Sequence, residues 1–387
     1  MEFHSVVLPP AEEASIRARL MKQVQTAILT TPASRLLHAS HDGFAFQDQH
    51  RGVRLYTRKS YSDSGDETMS VGYSNLPFES IMYLMLAQST EDHRVQQTLF
   101  YEEAFLDGSI LATGATPTEE DPFQWFGIKY AKVALANYRF VDPRDMVYAE
   151  LSGTTVNMDG HSVLFVMRES VSLQDVPLVP DAIRCRLKSL TLHTECPNGT
   201  IEHVHFAYMN PFGSVPAFLF KATQLRQNTL MERYAQMVHF KRMLDMSMRS
   251  SFFPNSQKAC ATCMRSFWAL TSRYFCRSCG DVICGKCCIF IPRPKTQLFQ
   301  TNLTIVKEEY CKSCYLSVRD PTMGDSTGSS LLSTRHLSRP ATDAAATLTT
   351  SQPCFGSSRS LHSMPMRSLK SPTSRQATLS MIPPLRG

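Results

Sequence analysis

Four Cys-x-x-Cys pairs between Cys260 and Cys314 limit what this chain can fold into more than any other feature. They are Cys260/Cys263, Cys276/Cys279, Cys284/Cys287 and Cys311/Cys314, separated by 12, 4 and 23 residues. Each pair can set two thiolates on one tight turn, which is half of a tetrahedral zinc site with Zn–S bonds of about 2.3 Å. Four pairs supply two complete four-cysteine sites, and a disulfide framework explains such tight pairs less simply. The expected cofactor is therefore two structural zinc ions. A zinc held by four thiolates keeps no open position, so hydrolytic zinc chemistry is not expected.

The middle of this pattern reads Cys276-Arg277-Ser278-Cys279-Gly280, Asp281-Val282-Ile283, Cys284-Gly285-Lys286-Cys287. Together with the 12–4 spacing it resembles the FYVE-type zinc finger, over about residues 252–318. The resemblance implies interleaved pairs. One zinc would take Cys260, Cys263, Cys284 and Cys287, and the other Cys276, Cys279, Cys311 and Cys314, leaving Cys288 spare. It also implies phosphatidylinositol 3-phosphate as ligand, but the three signatures that read that lipid have changed. The Trp-x-x-Asp motif stands here as Phe252-Phe253-Pro254-Asn255, the basic Arg-(Arg/Lys)-His-His motif as Ser272-Arg273-Tyr274-Phe275, and Arg-Val-Cys as Glu309-Tyr310-Cys311. A phosphate needs charge-assisted donors. Only Arg273 and Arg277 remain as candidate phosphoinositide contacts, so selectivity for that lipid does not carry over with the zinc scaffold.

Phe267-Trp268-Ala269-Leu270 stands where the family inserts an apolar loop into the bilayer. Phe267 matches a core position. Trp268 and Leu270 are the candidates for insertion, because Trp favours the headgroup interface. One such loop binds weakly and needs a second contact. The alternative is that both side chains fold back onto the domain.

At 387 residues the chain has room for two or three domains, and its 43 % apolar and 19 % charged content describes a globular protein with a tail. The net charge of +6 suits an anionic membrane surface and gives no argument for nucleic acid. No apolar run reaches the roughly 18 residues of a membrane span. The start Met1-Glu2-Phe3-His4 has no basic flank or apolar run, so no signal peptide is expected. Zinc thiolates and the lack of an export signal favour the cytoplasm.

The first 248 residues form the larger expected domain. Ile16, Leu20, Val24 and Ile28 recur at helical spacing behind Pro9-Pro10, with Pro32 as the stop. Strand-like pieces follow at Gly43–Gln47, Val53–Thr57 and Met69–Tyr73, then helices over Phe78–Gln88 and Glu91–Glu103. Further strands are expected at Ser109–Thr113, Phe126–Leu135, Met146–Gly153 and Ser162–Ser170, the last two joined by a Met158-Asp159-Gly160 turn. Asn198-Gly199 joins Arg184–Glu195 to Thr200–Asn210. A long amphipathic helix, Val215–Met246, closes the series.

This element order, with the phrase Pro143-Arg144-Asp145-Met146-Val147-Tyr148, resembles the START lipid-transfer fold, and its pairing with a degenerate FYVE finger looks like a family of oomycete proteins. The fold class expected is α+β: a curved antiparallel sheet gripping a long C-terminal helix, plus a small two-zinc cross-brace finger. The resemblance implies an apolar tunnel for one lipid. Leu225, Thr229, Met237, Phe165 and Phe206 are its candidate lining residues, the other reading being a solid core. His193, His203 and His205 lie on facing strands and are expected as hydrogen-bonded or surface residues rather than metal ligands. Residues 320–387 are rich in Ser, Thr and Pro, with 7 Lys plus Arg against 3 Asp plus Glu, and are expected to be disordered.

The expected function is non-catalytic: lipid binding and membrane targeting, with a cytoplasmic protein reaching endosomal membrane peripherally. The alternative is a zinc-stabilised protein-interaction adaptor that binds no lipid. A cross-brace ubiquitin ligase is disfavoured by the all-cysteine pairs at this spacing.

Overall fold

The computed structural model describes residues 6–29, 43–59, 66–135, 141–246, 257–268, 271–296 and 303–319. The expected disordered tail, 320–387, and the helix stop at Pro32 lie outside these residues.

A helix, α1 (Pro10–Ile28), opens the chain and buries Ile16, Leu20, Val24 and Ile28. Three strands follow, β1 (Ala45–His50), β2 (Val53–Lys59) and β3 (Asp66–Ser74). Helices α2 (Phe78–Met85) and α3 (Thr90–Tyr101) come next. A reciprocal capping box fixes the start of α3: Ser89 accepts from the Asp92 backbone and Asp92 from that of Ser89. Beyond a 3-10 turn, Glu102–Ala104, run β4 (Phe105–Ala115), β5 (Trp125–Val133), β6 (Arg144–Val156), β7 (Ser162–Ser170), a short β8 (Ile183–Arg184), β9 (Arg186–Glu195) and β10 (Ile201–Asn210). They form one ten-stranded sheet in the order β1-β2-β3-β10-β9-β7-β6-β5-β4, with β8 beside β6. Every pairing is antiparallel except the short β6–β8 one. The fold is thus α+β.

Both faces of the sheet are covered. On one face α1 packs over Phe126, Ala149, Phe165, Leu192 and Phe206. On the other, the cores of α2, α3 and the last body helix pack over Val53, Leu55, Leu164 and Val166. This double burial makes β6 buried at nearly every position, so polar alternation is absent there.

The long closing helix is not continuous. It is α4 (Ala217–Asn228), a 3-10 segment Leu230–Arg233, and α5 (Tyr234–Asp245). At the break Thr229 turns back, its Oγ1 donating to the Leu225 carbonyl at 2.9 Å, while buried Asn228 accepts from Thr68 Oγ1 at 3.2 Å. The break drops Met231 onto β3 at Gly72, the one strand position without a side chain to obstruct it.

The cysteine-rich segment adds two hairpins, β11 (Arg273–Phe275) with β12 (Val282–Cys284) and β13 (Cys288–Thr296) with β14 (Leu303–Cys311), then α6 (Lys312–Arg319). It shares a core with the body. Cys260, Cys276, Ile283, Ile291 and Tyr310 belong to the same apolar cluster as Phe240 and Leu244 of α5. Tyr315 of α6 stands edge-on to His239 at 5.7 Å and edge-on to Phe240 at 6.1 Å.

Candidate metal centre and ligand cavity

The sulfurs gather in two groups of four: Cys260, Cys263, Cys284, Cys287 and Cys276, Cys279, Cys311, Cys314, with the atoms of each group within 4.8 Å of one another. This is the interleaved pairing that the family resemblance implies. Four sulfurs about 2.3 Å from a tetrahedral zinc stand about 3.8 Å apart. Cys263 and Cys284 Sγ are 3.8 Å apart, and Cys279 and Cys311 Sγ 3.9 Å. The donor sets therefore fit two zinc ions; one would tie the Cys260–Cys263 turn to the end of β12, and the other the β11–β12 turn to the end of β14 and the start of α6.

Backbone amides prepare the thiolates. The Cys284 N–H donates to Cys260 Sγ at 3.4 Å and the Cys311 N–H to Cys276 Sγ at 3.2 Å. Burial opposes ionisation of Cys260, but the amides of Cys284, Cys263 and Thr262 outweigh it and bring the thiol down to about 6. Hydrogen bonds from Cys311 and Cys314 drive Cys276 further down. Cys288 belongs to neither group; burial and then Glu309 push its thiol up to about 11.

The two knuckles close differently. Gly280 turns the second at φ +83°, where glycine costs nothing. Met264 turns the first at φ +58°, a conformation that costs an L-residue about 1–2 kcal/mol.

Arg273 lies exposed on β11 with its guanidinium 5.0 Å from the Phe267 ring centroid. Arg277 sits in the second knuckle, its backbone N–H donating to the Glu309 carbonyl at 2.8 Å. The Glu309 carboxylate accepts the Phe275 N–H at 3.2 Å, so an acidic group is seated on the backbone between the two arginines in sequence. Trp268 is 80 % exposed and Met264 75 %, so neither folds back. Leu270 lies outside the described residues. Phe267 packs against the shared core.

A cavity of about 120 Å³ lies between the sheet and the helices. Met85, Phe100, Tyr101, Met146, Tyr148, Leu187, Met209, Leu230, Met231 and Tyr234 supply its apolar wall, and Arg168, Thr191, His205, Gln97 and Gln227 its polar points. None of the five candidate lining residues borders it. Phe165 and Phe206 point to the opposite face, under α1, and Phe206 edges only a minor void there. Side chains alternate across a strand, so their neighbours in the pleat, such as His205 and Ala207, face the cavity instead. Leu225 is 43 % exposed on the outside of α4. Thr229 is spent on the helix break, and Met237 is fully buried one turn into α5. Met146 and Tyr148 of the phrase that suggested the fold do line the cavity, but β6 is buried on both faces, so no alternation of polarity marks them as lining.

Arg168 and Lys188 are the charged residues of the lining. Arg168 is held in place by a carboxylate. Its Nε donates to Glu150 Oε2 at 2.6 Å, and Lys129 Nζ pairs with Glu150 Oε1. Burial alone raises the pKa of Glu150, but Lys129 and Arg168 hold it at about 2. Lys129 also lies 4.1 Å over the Trp125 ring. Arg168 Nη2 is buried with no hydrogen-bond partner among the described residues.

His193 and His203 are buried, His205 is half-buried on the cavity side, and all three are hydrogen-bonded. His193 Nδ1 meets His203 Nδ1 at 2.7 Å, His203 Nε2 meets Ser74 Oγ at 2.7 Å, and His205 Nδ1 meets Thr191 Oγ1 at 2.9 Å.

Among solved structures, human StAR-related lipid transfer protein 5 is similar over 58 % of this chain and 99 % of its own, at 15 % identity and a TM-score of 0.42. A STAR-related lipid transfer protein fragment from Xanthomonas axonopodis is similar over 50 % and 98 %, at 17 % identity and a TM-score of 0.39. Among curated proteins, phosphatidylinositol-3,5-bisphosphate 3-phosphatase MTMR4 of Mus musculus and of Homo sapiens is 39 % identical over 57 residues, 14 % of this chain. The chain spans 4 % of the length of those relatives. Over residues 253–320 the chain matches the family model of the FYVE zinc finger.

Proposed function

We propose that this is a non-catalytic, membrane-peripheral lipid-binding protein of the cytoplasm, with a body that holds an apolar ligand and a zinc finger that docks it to a membrane. The observation that carries this is the cavity: Met and Tyr walls around a guanidinium whose Nη2 is buried with no partner among the described residues. A buried donor left unmade costs about 1–3 kcal/mol. A ligand with an apolar chain and an oxygen-bearing head satisfies both parts of that wall.

Each zinc is closed by four thiols, which suits a scaffold rather than a catalyst. Trp268 and Met264 form the membrane tip. Holding Met264 in a left-handed conformation while leaving it 75 % exposed is a cost without a packing return. Glu309, its carboxylate seated on the Phe275 backbone N–H between the two arginines in sequence, argues for an interfacial contact over selective capture of phosphatidylinositol 3-phosphate. Glu309 also favours the second reading, an adaptor that presents this face to a protein.

The test is extraction of lipid from liposomes by the purified protein, read by mass spectrometry, beside Arg168→Met. Lipid recovered with the wild type and reduced with the variant supports the proposal. No lipid with either, together with no vesicle co-sedimentation, leaves the adaptor reading.

A further inference from the structure

The cavity is smaller than its proposed task. At about 120 Å³ it falls below the roughly 300 Å³ from which ligand pockets begin, so an acyl chain enters only if a wall moves. The least held element at its rim is α4, which lends the lining only Gln227 and buries only Leu219 and Asn228 among its described side chains.

Besides the Thr68–Asn228 hydrogen bond to β3, what holds α4 is the 3-10 turn after α3. Glu102 accepts from Arg226 Nη2 at 2.9 Å and pairs with Arg233. These ion pairs span the rim, because the residues beside them in sequence, Tyr101, Gln227 and Tyr234, line the cavity from opposite sides. Glu102 has φ +53°, a left-handed conformation that is strained for glutamate and is kept by these partners. The next residue, Glu103, pairs with Lys307 of the zinc-finger strand β14 at 2.6 Å. On the same strand, Leu303 and Ile305 pack against the cluster of Phe105, Met146 and Tyr148, whose last two members are cavity walls.

We propose that the β13–β14 hairpin of the zinc finger is the outer half of the cavity's closure, latched with α4 by Glu102 and Glu103, and that an anionic lipid surface releases both together. This rests on the reading of the cavity as a ligand site. The latch is three cations sharing two carboxylates, and the pairs are open to solvent: Arg226 is 44 % and Lys307 60 % exposed in their side chains. Exposed ion pairs are weak and screened by salt. A negatively charged membrane attracts each nearby basic side chain at least as strongly and repels the two glutamates. The exchange of carboxylate for headgroup phosphate is therefore downhill at the surface and uphill in solution, which keeps the cavity shut between membranes.

The full zinc-loaded chain is examined by hydrogen–deuterium exchange with vesicles of phosphatidylcholine, with and without phosphatidylserine. Release of a preloaded fluorescent fatty acid is followed in parallel. Anionic vesicles should speed exchange about fivefold in both residues 217–228 and residues 303–307, and neutral vesicles should not. Glu103→Gln and Lys307→Ala should speed exchange at both segments and fatty-acid release without vesicles, and the swapped pair Glu103→Lys with Lys307→Glu should restore the slow rates. Unchanged exchange on anionic vesicles, or acceleration of one segment alone, overturns the coupling. If the wild type loads no fatty acid, the lipid-binding reading fails on that measurement while the exchange data still judge the latch.

Discussion

The Met231 sulfur lies 2.8 Å from the point where a Cβ would stand on Gly72. The glycine on β3 lets the broken closing helix approach the sheet, and Met231 in turn forms cavity wall. Gly72→Ala should displace the thioether into the cavity. Because a methionine end is flexible, the stability cost should be near 1 kcal/mol, the low end for overpacking, while ligand uptake falls more sharply. Denaturant unfolding beside a lipid-loading assay separates the two. Unchanged uptake would show that Met231 does not shape the site.

The zinc sites should be structural for more than the finger, because their sulfurs lie in one core with Phe240 and Leu244. Elemental analysis should return about two zinc ions per chain. Cys284→Ser should leave about one. A strong chelator should lower the unfolding temperature of the whole described unit, with loss of the Tyr315–His239 contact, rather than melting the finger separately.

Acid should destabilise the body in two steps. Burial depresses His93 to about 3 and His203 and His205 to about 4, from 6.5. Their folded values lie below the unfolded one, so the unfolded chain takes up more protons as pH falls. The stability they permit is complete above about pH 6.5 and is lost toward pH 4, by roughly 2 kcal/mol per histidine by pH 5. Glu150, held at about 2 against 4.5, adds a second loss as pH falls from about 4.5 toward 2. Melting temperatures between pH 7.5 and 4 check the first step, and His203→Gln should flatten it.

Glu150→Gln removes the one carboxylate that serves both Lys129 and Arg168. Buried Lys129 and half-buried Arg168 are then left without their counter-charge. The expected cost is about 3–5 kcal/mol, measurable by denaturant unfolding. A cost below about 1 kcal/mol would mean that water already reaches the pair through the cavity.

The metal centre and most strands were legible in the residues themselves, because the physics that fixes them is local. Two cysteines three apart make half a zinc site wherever they occur, and a spacing of 12–4 assigns the partners by resemblance. Asn198-Gly199 and the repeat Ile16, Leu20, Val24, Ile28 likewise act within a few residues. What only the tertiary structure decided were matters of facing and docking. Phe165 and Phe206 have the size and apolarity of cavity walls, but both sheet faces are buried, so alternation cannot say which face α1 covers and which encloses the void. The break at Asn228-Thr229 depends on Thr68 and Gly72, which are more than a hundred residues away. The seating of Leu303, Ile305 and Lys307 on the body depends on a surface assembled from four strands. Short-range spacing carries a metal site, whereas a cavity is the gap left between distant elements, and no stretch of chain encodes a gap by itself.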